Sequence, residues 1–155
     1  MGKLFGDLSK EENVGHYVCV NVMNYQQLAE WYSKQGLKTI DPTELHCTIA
    51  YSRRLFQRTP NPLDIVVSDV YPQLEILGDE GCVVLKLKSK ELENRFNECI
   101  EAGATYDYEN YIPHITIAVN VTEDISKYKS PDFDIILGLE SISKLIEDFT
   151  YEKWS

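Results

Sequence analysis

No apolar run in the 155 residues approaches the ~18 needed to span a bilayer, so a transmembrane protein is not expected. Positive charge is scarce: 15 Lys and Arg stand against 25 Asp and Glu, a net charge of −10. Such a surface repels polyanions, which excludes sequence-blind binding to duplex DNA or to anionic lipid. Small anionic ligands remain open, because a pocket needs only a few local cations. The four cysteines (Cys19, Cys47, Cys82 and Cys99) form no C-x-x-C pair, and they read as buried free thiols of a reducing compartment. The first ten residues, MGKLFGDLSK, have no apolar signal core. Gly6 occupies the place where a myristoylation site needs Ser or Thr. A cytoplasmic protein is therefore expected, in which the Asn120-Val121-Thr122 glycosylation sequon is idle. What is present, 43% apolar and 26% charged residues, is ordinary globular composition and rules out a disordered tail, a collagen or a coiled coil. The length predicts one domain over residues 1–155, or one domain made of two small lobes.

Residues 1–15 are polar and read as an irregular arm, with Ser9 and Glu12 placed to cap a short turn. Alternation predicts strands at 16–22, 45–51, 82–88 and 112–119. One long or two short strands are expected within 64–77, interrupted near Asp69 and Pro72, and two more at 133–139 and 142–150. Helices are predicted over 24–36, from an Asn24 cap to Gly36, and over 89–103, from a Ser89 cap to Gly103. Residues 52–63 hold Arg53, Arg54 and Arg58 and no acid, and read as an exposed loop.

The order strand, helix, strand occurs twice, and the two closing strands share His-x-Thr-Ile-Ala: His46 to Ala50 and His114 to Ala118. A duplicated core strand would repeat valines and isoleucines; it has no reason to repeat a His and a Thr. Side chains at i and i+2 project to the same face. His46, Thr48 and Ala50 then oppose Leu45, Cys47, Ile49 and Tyr51, while His114, Thr116 and Ala118 oppose Ile115, Ile117 and Val119. With the apolar faces against the helices, both His-x-Thr faces turn toward a groove between two pseudo-symmetric lobes. In the opening strands the same parity leaves Tyr17, Cys19 and Asn21, and Cys82, Val84, Lys86 and Lys88, on the groove side. The architecture expected is α+β: antiparallel sheet in two lobes, helices packed outside, and a central groove.

Two imidazoles across one bound group provide a base on one side and an acid on the other near neutral pH. Phosphodiester cleavage needs that pair, together with hydrogen-bond donors for the charge that grows on the non-bridging oxygens. The two Thr hydroxyls supply such donors. There is no H-E-x-x-H motif and no carboxylate cluster at ligand spacing, and a zinc site from His46, His114 and Cys47 fails because Cys47 faces away from His46. No metal and no cofactor are expected.

The paired motifs, LHCTIAY at 45–51 and YIPHITIAV at 111–119, resemble those of the 2H phosphoesterase superfamily, and the likeness covers about residues 16–150. Within it the short acidic chain, the LHCTIAYS strand and the aromatic C-terminal end look most like the phage anti-CBASS phosphodiesterases. The resemblance implies metal-independent cleavage of the 3′–5′ bonds of cyclic di- or trinucleotide messengers such as 3′,3′-cyclic GMP–AMP. It further implies attack by a ribose 2′-hydroxyl and, for a phage protein, action in the host bacterial cytosol. By position His46, Thr48, His114 and Thr116 carry over as the catalytic tetrad. Tyr17, Lys86, Glu147 and Trp154 are the candidates for substrate binding, Glu147 toward an exocyclic amine and Trp154 by stacking on a base. Each has a plainer reading, as a core tyrosine, a surface lysine, a solvated acid or a Trp that seals the core edge. Arg53, Arg54 and Arg58 either attract the anion or decorate a solvated loop; His16 reads as structural or surface. The alternative activity is RNA-end processing, as a 2′,3′-cyclic phosphodiesterase or a 2′–5′ RNA ligase-like enzyme. The net charge disfavours it, because long RNA prefers a basic face.

Overall fold

The computed structural model describes residues 14–145. Residues 1–13 of the expected N-terminal arm, Glu147 and Trp154 lie outside the described residues; Gly15, expected in the arm, already belongs to the first strand. The chain runs β1 (Gly15–Val22), α1 (Tyr25–Lys34), a 3₁₀ turn (Pro42–Glu44), β2 (His46–Ser52), β3 (Ile65–Val67), β4 (Asp69–Val70), β5 (Glu75–Leu77), β6 (Cys82–Lys88), α2 (Lys90–Glu101), β7 (His114–Ala118) and β8 (Ile135–Leu145). The strands pair antiparallel in the order β3-β8-β1-β2-β7-β6-β4, and β5 also pairs with β6. This is the α+β, two-helix antiparallel architecture expected from the repeat. The two His-x-Thr strands are neighbours at its centre, and the register pairs Cys47 with Ile115.

One continuous core binds the sheet to both helices. Helix α1 buries Leu28, Ala29 and Tyr32; α2 buries Leu92, Arg95 and Cys99. Against them lie Val18, Val20, Cys47 and Ile49 from the first half, and Val83, Leu85, Ile115 and Ile117 from the second, all at most 1% exposed. Each such side chain contributes about 1.5–3 kcal/mol by leaving water. Ser89 caps α2 as expected, its hydroxyl accepting from the Leu92 N–H at 3.2 Å. Asn24 does not cap α1. Its side chain is drawn instead to the start of β8, donating to the Asp134 carbonyl and accepting from the Ile136 N–H.

Strand parity does not survive the whole length of the closing strands. Val18 pairs with Ala50 but Cys19 pairs with Thr48, so Ile49 is an extra residue, a β-bulge. In the second half Val83 pairs with Ala118 but Val84 pairs with Thr116, which makes Ile117 the extra residue there. The duplication thus extends to a matching bulge directly after each His-x-Thr. Beyond Ile49 the alternation is inverted. Tyr51, expected on the helix side, lines the groove, and Ser52 is buried.

The two closing strands expected at 133–139 and 142–150 are one strand to Leu145. Val20 pairs with Glu140 and Val22 with Leu137, so the chain bulges near Gly138 and Leu139 where a break was expected. Segment 64–77 makes three short strands. All three loop arginines are engaged; Arg58 is withdrawn from water, whereas Arg54 is exposed and Arg53 partly so. Arg58 binds the buried carboxylate of Glu140 through two bonds, of 2.7 and 2.5 Å, and Arg95 reaches it at 3.3 Å. Arg53 pairs with Asp107, and Arg54 donates to the Gly103 carbonyl. His16, as expected, is structural: its Nδ1 accepts from the Phe56 N–H, and the two rings meet edge-on.

Gly81 turns the chain into β6 at φ +67°, and a Cβ there would stand 2.7 Å from the Val121 carbonyl oxygen. Gly81→Ala is expected to lower stability by about 1–3 kcal/mol from the backbone strain, with the clash adding to it. Urea denaturation measures the loss.

Candidate active site

The register that sets Cys47 against Ile115 places His46 opposite Thr116 and Thr48 opposite His114, one step either side. Alternation brings all four to the face away from Cys47 and Ile115, which are fully buried. Cross-strand neighbours of this kind hold their Cβ atoms about 4.5–5.5 Å apart, and diagonal neighbours about 7–8 Å. Each half therefore contributes one imidazole and one hydroxyl to a single quadrilateral. All four residues are partly exposed.

Both imidazoles are oriented by the same local device. His46 Nδ1 lies 2.7 Å from the Glu44 carbonyl oxygen, and His114 Nδ1 lies 3.0 Å from that of Ile112, in each case the residue two positions back. A carbonyl only accepts, so Nδ1 carries the proton in both rings. In a ring so held, Nε2 is the nitrogen that can accept a proton.

The second partners differ between the halves. Tyr17 on β1 places its hydroxyl 2.8 Å from His46 Nε2 and 2.9 Å from Thr48 Oγ1. Burial pushes this phenol well above its ordinary pKa, so it stays protonated. It donates to neutral His46 and can turn to donate to Thr48 once Nε2 carries a proton. The equivalent position in the second half is Cys82, by the matched pairing of Val18 with Ala50 and Val83 with Ala118. Across from His114 stands Lys86, and across from His46 stands Asn21. Lys86 lines the cavity while its Nζ lies 2.8 Å from Glu75 Oε2. Tyr17 thus lies on the groove side, as parity predicts, with its hydroxyl bonded to His46 and Thr48. Tyr17→Phe is expected to cost turnover roughly 10-fold, as for loss of one hydrogen bond to an imidazole in the role proposed below, and to move one limb of the pH–rate profile. A uniform fall without a limb shift would show that the phenol does not act through His46.

Several contributors carried no signal in the motifs. Tyr111 donates its hydroxyl to the Thr48 carbonyl at 2.8 Å and fixes the first motif from the second half. Tyr51 entered through the bulge. Tyr106 and Tyr108 come from the loop before β7, and all four tyrosines line a cavity of about 400 Å³ that also contains Thr48, Lys86 and His114. A tyrosine-rich segment, Tyr106 to Tyr111, directly before a His-x-Thr strand was the available clue. The thiol of Cys47 lies beneath the seam, where burial pushes its pKa up to about 12; a thiol so held is no nucleophile. All four cysteines are free, but only Cys47 and Cys99 are buried; Cys19 and Cys82 are partly exposed. Among the described residues no cluster of three His, Cys, Asp or Glu could hold a metal ion. No helix among them is long and apolar enough to cross a membrane.

The fold is shared with solved structures. The structure is similar to Escherichia coli LigT complexed with 3′-AMP, at a TM-score of 0.58 and 12% identity over 82% of this chain and 85% of that one. It is also similar to a crystal structure described as a phosphoesterase, at a TM-score of 0.57. The sequence model of the family described as Anti-CBASS protein Acb1 matches residues 14–152, and the chain belongs to that family. Relatives of that name include one from Escherichia phage RB16, 35% identical over 74% of this chain and 69% of its own length. Another, from Sphingomonas paeninsulae, is 30% identical over 86% of this chain. The chain spans only 23% of the Sphingomonas protein and 22% of a Caulobacter relative.

Proposed function

We propose that this chain is a phosphodiesterase that opens cyclic di- or trinucleotide messengers at a 3′–5′ bond, and so serves as a counter-defence enzyme of a phage in the bacterial cytosol. The observation that carries this is the seam, where two imidazole–hydroxyl couples from opposite halves share one face. Membership of the anti-CBASS family and the LigT-like fold support the same reading.

His46, Thr48, His114 and Thr116 are the catalytic groups in this reading. One neutral Nε2 takes the proton of a ribose 2′-hydroxyl as its oxygen attacks the adjacent phosphorus. The opposite imidazolium gives its Nε2 proton to the departing 5′-oxygen. The product of that step is a 2′,3′-cyclic phosphate. Water then attacks the phosphorus with the two roles exchanged, and the 2′-oxygen leaves to give a 3′-phosphate. Thr48 and Thr116 donate to the non-bridging oxygens, and Lys86 adds positive charge at the rim. Both proton transfers have a protein group, so the chemistry makes no demand for a metal.

The test is incubation with 3′,3′-cyclic GMP–AMP in EDTA. A linear nucleotide with a 3′-phosphate is expected. Intact ligand after long incubation would replace catalysis with simple capture. A 2′-deoxy analogue is expected to resist; its cleavage would remove the 2′-hydroxyl from the mechanism.

A further inference from the structure

Thr48 and His114 occupy one side of the 400 Å³ cavity, a size that accepts a small organic ligand. The other side is aromatic and apolar. Of the large apolar side chains left exposed among the described residues, Leu77, Tyr108 and Ile112 all rim this cavity, and Tyr108 is 54% exposed. Grouped exposure of this kind marks a binding surface more often than chance packing.

This wall is held rigid from both halves. Tyr111 stacks on Phe96 with ring centroids 4.3 Å apart and planes within 5°. Tyr106 meets Phe96 edge-on at 4.8 Å, and Tyr108 meets Tyr106 edge-on at 5.6 Å. The loop that carries them is strapped to the end of β2. The Thr105 N–H donates to Ser52 Oγ at 3.0 Å, and the Arg53 N–H donates to Thr105 Oγ1 at 2.7 Å. Arg53 also holds Asp107 through two bonds, of 2.9 and 3.1 Å. A loop anchored this firmly has lost its conformational freedom before any ligand arrives, which lowers the cost of binding. Tyr108 nonetheless keeps most of its ring out of the core.

We infer that the wall formed by Tyr106, Tyr108 and Tyr111 is a nucleobase subsite, with one base of the substrate stacked on Tyr108 while its phosphate lies between Thr48 and His114. This rests on the phosphodiesterase reading above and adds where the base goes. The occupant is set by chemistry: it must be flat and aromatic to use the wall, and joined to an anion to use the hydroxyls and imidazoles beside it. A nucleotide satisfies both; a lipid chain or an apolar peptide satisfies only the first.

The experiment is calorimetric titration of the full chain with adenosine 3′-monophosphate, and with ribose 5-phosphate as the baseless control. Tyr108→Ala is expected to weaken the nucleotide about 10-fold or more, as loss of one stacking partner does, and to leave the control unchanged. Tyr108→Phe keeps the ring face and is expected to bind as the parent does. Equal nucleotide binding by parent and Tyr108→Ala overturns the inference. So does a Tyr108→Phe variant as weak as Tyr108→Ala, or an equal loss with the control. Binding is read separately from turnover. A protein that binds adenosine 3′-monophosphate through Tyr108 yet leaves 3′,3′-cyclic GMP–AMP intact keeps this inference and sinks only the catalytic reading.

Discussion

His46→Ala or His114→Ala is expected to lower turnover of the cyclic dinucleotide by about 100- to 10,000-fold, the range for loss of one proton-transfer group. The fold should remain. Both rings are partly exposed on the open face of the seam, so truncation leaves no sealed void in the core. The backbone pairing of Cys47 with Ile115 does not depend on either side chain. The double variant should be little worse than either single one, because in the proposed mechanism the two imidazoles serve one proton circuit and their effects do not add. Circular dichroism and product analysis on the same samples check this. Full activity in either variant would remove that histidine from the chemistry. Loss of the folded spectrum would make the repeated His a packing residue after all.

The second large effect is on stability. Glu140→Ala is expected to cost about 3–5 kcal/mol, the usual penalty for breaking a buried charge network from one side. Glu140 is 2% exposed, and it is shared by Arg58, whose side chain is 8% exposed, and Arg95, at 1%. Removing the carboxylate leaves two guanidinium groups facing each other with their central anion gone. The remaining partners, Glu98 for Arg58 and Glu91 for Arg95, sit at the outer ends of the network. For a chain of this size the midpoint of thermal unfolding should fall by roughly 10 °C or more. A fall of only a degree or two would show that water or a loop shift compensates. Glu140→Gln retains the shape and the acceptor oxygen and should lose less.

The repeat was legible because it violated expectation for a core strand: a His and a Thr recurring among valines and isoleucines point to use, not packing. From that one irregularity followed the pairing of halves, the shared face and the placement of Tyr17 and Lys86 on it. Tyr51 was misplaced because parity counts residues evenly and a bulge inserts one. Nothing in Thr-Ile-Ala announces the extra residue at Ile49 or Ile117. Arg58 and Arg95 were unreadable for another reason. Their value lies in Glu140, which is 82 and 45 residues away in the chain. No local pattern links them: Arg58 sits in an acid-free loop that looks solvated, and Arg95 in a helix among acids of its own. Asn24 is the same lesson in small: a residue with the right chemistry for a helix cap was claimed by a strand 110 residues later.

The symmetry of the seam has a consequence for how such a protein could arise. One half alone holds a single imidazole and a single hydroxyl, too little for the reaction. Two identical copies of that half, docked edge to edge through their His-x-Thr strands, would already present the full set. Only after fusion into one polypeptide could the two sides diverge. The phenol of Tyr17 where the other side has Cys82, and the ammonium of Lys86 where the first side has Asn21, are differences that a pair of identical copies could never acquire. Through them a machine of two interchangeable sides gains a left and a right.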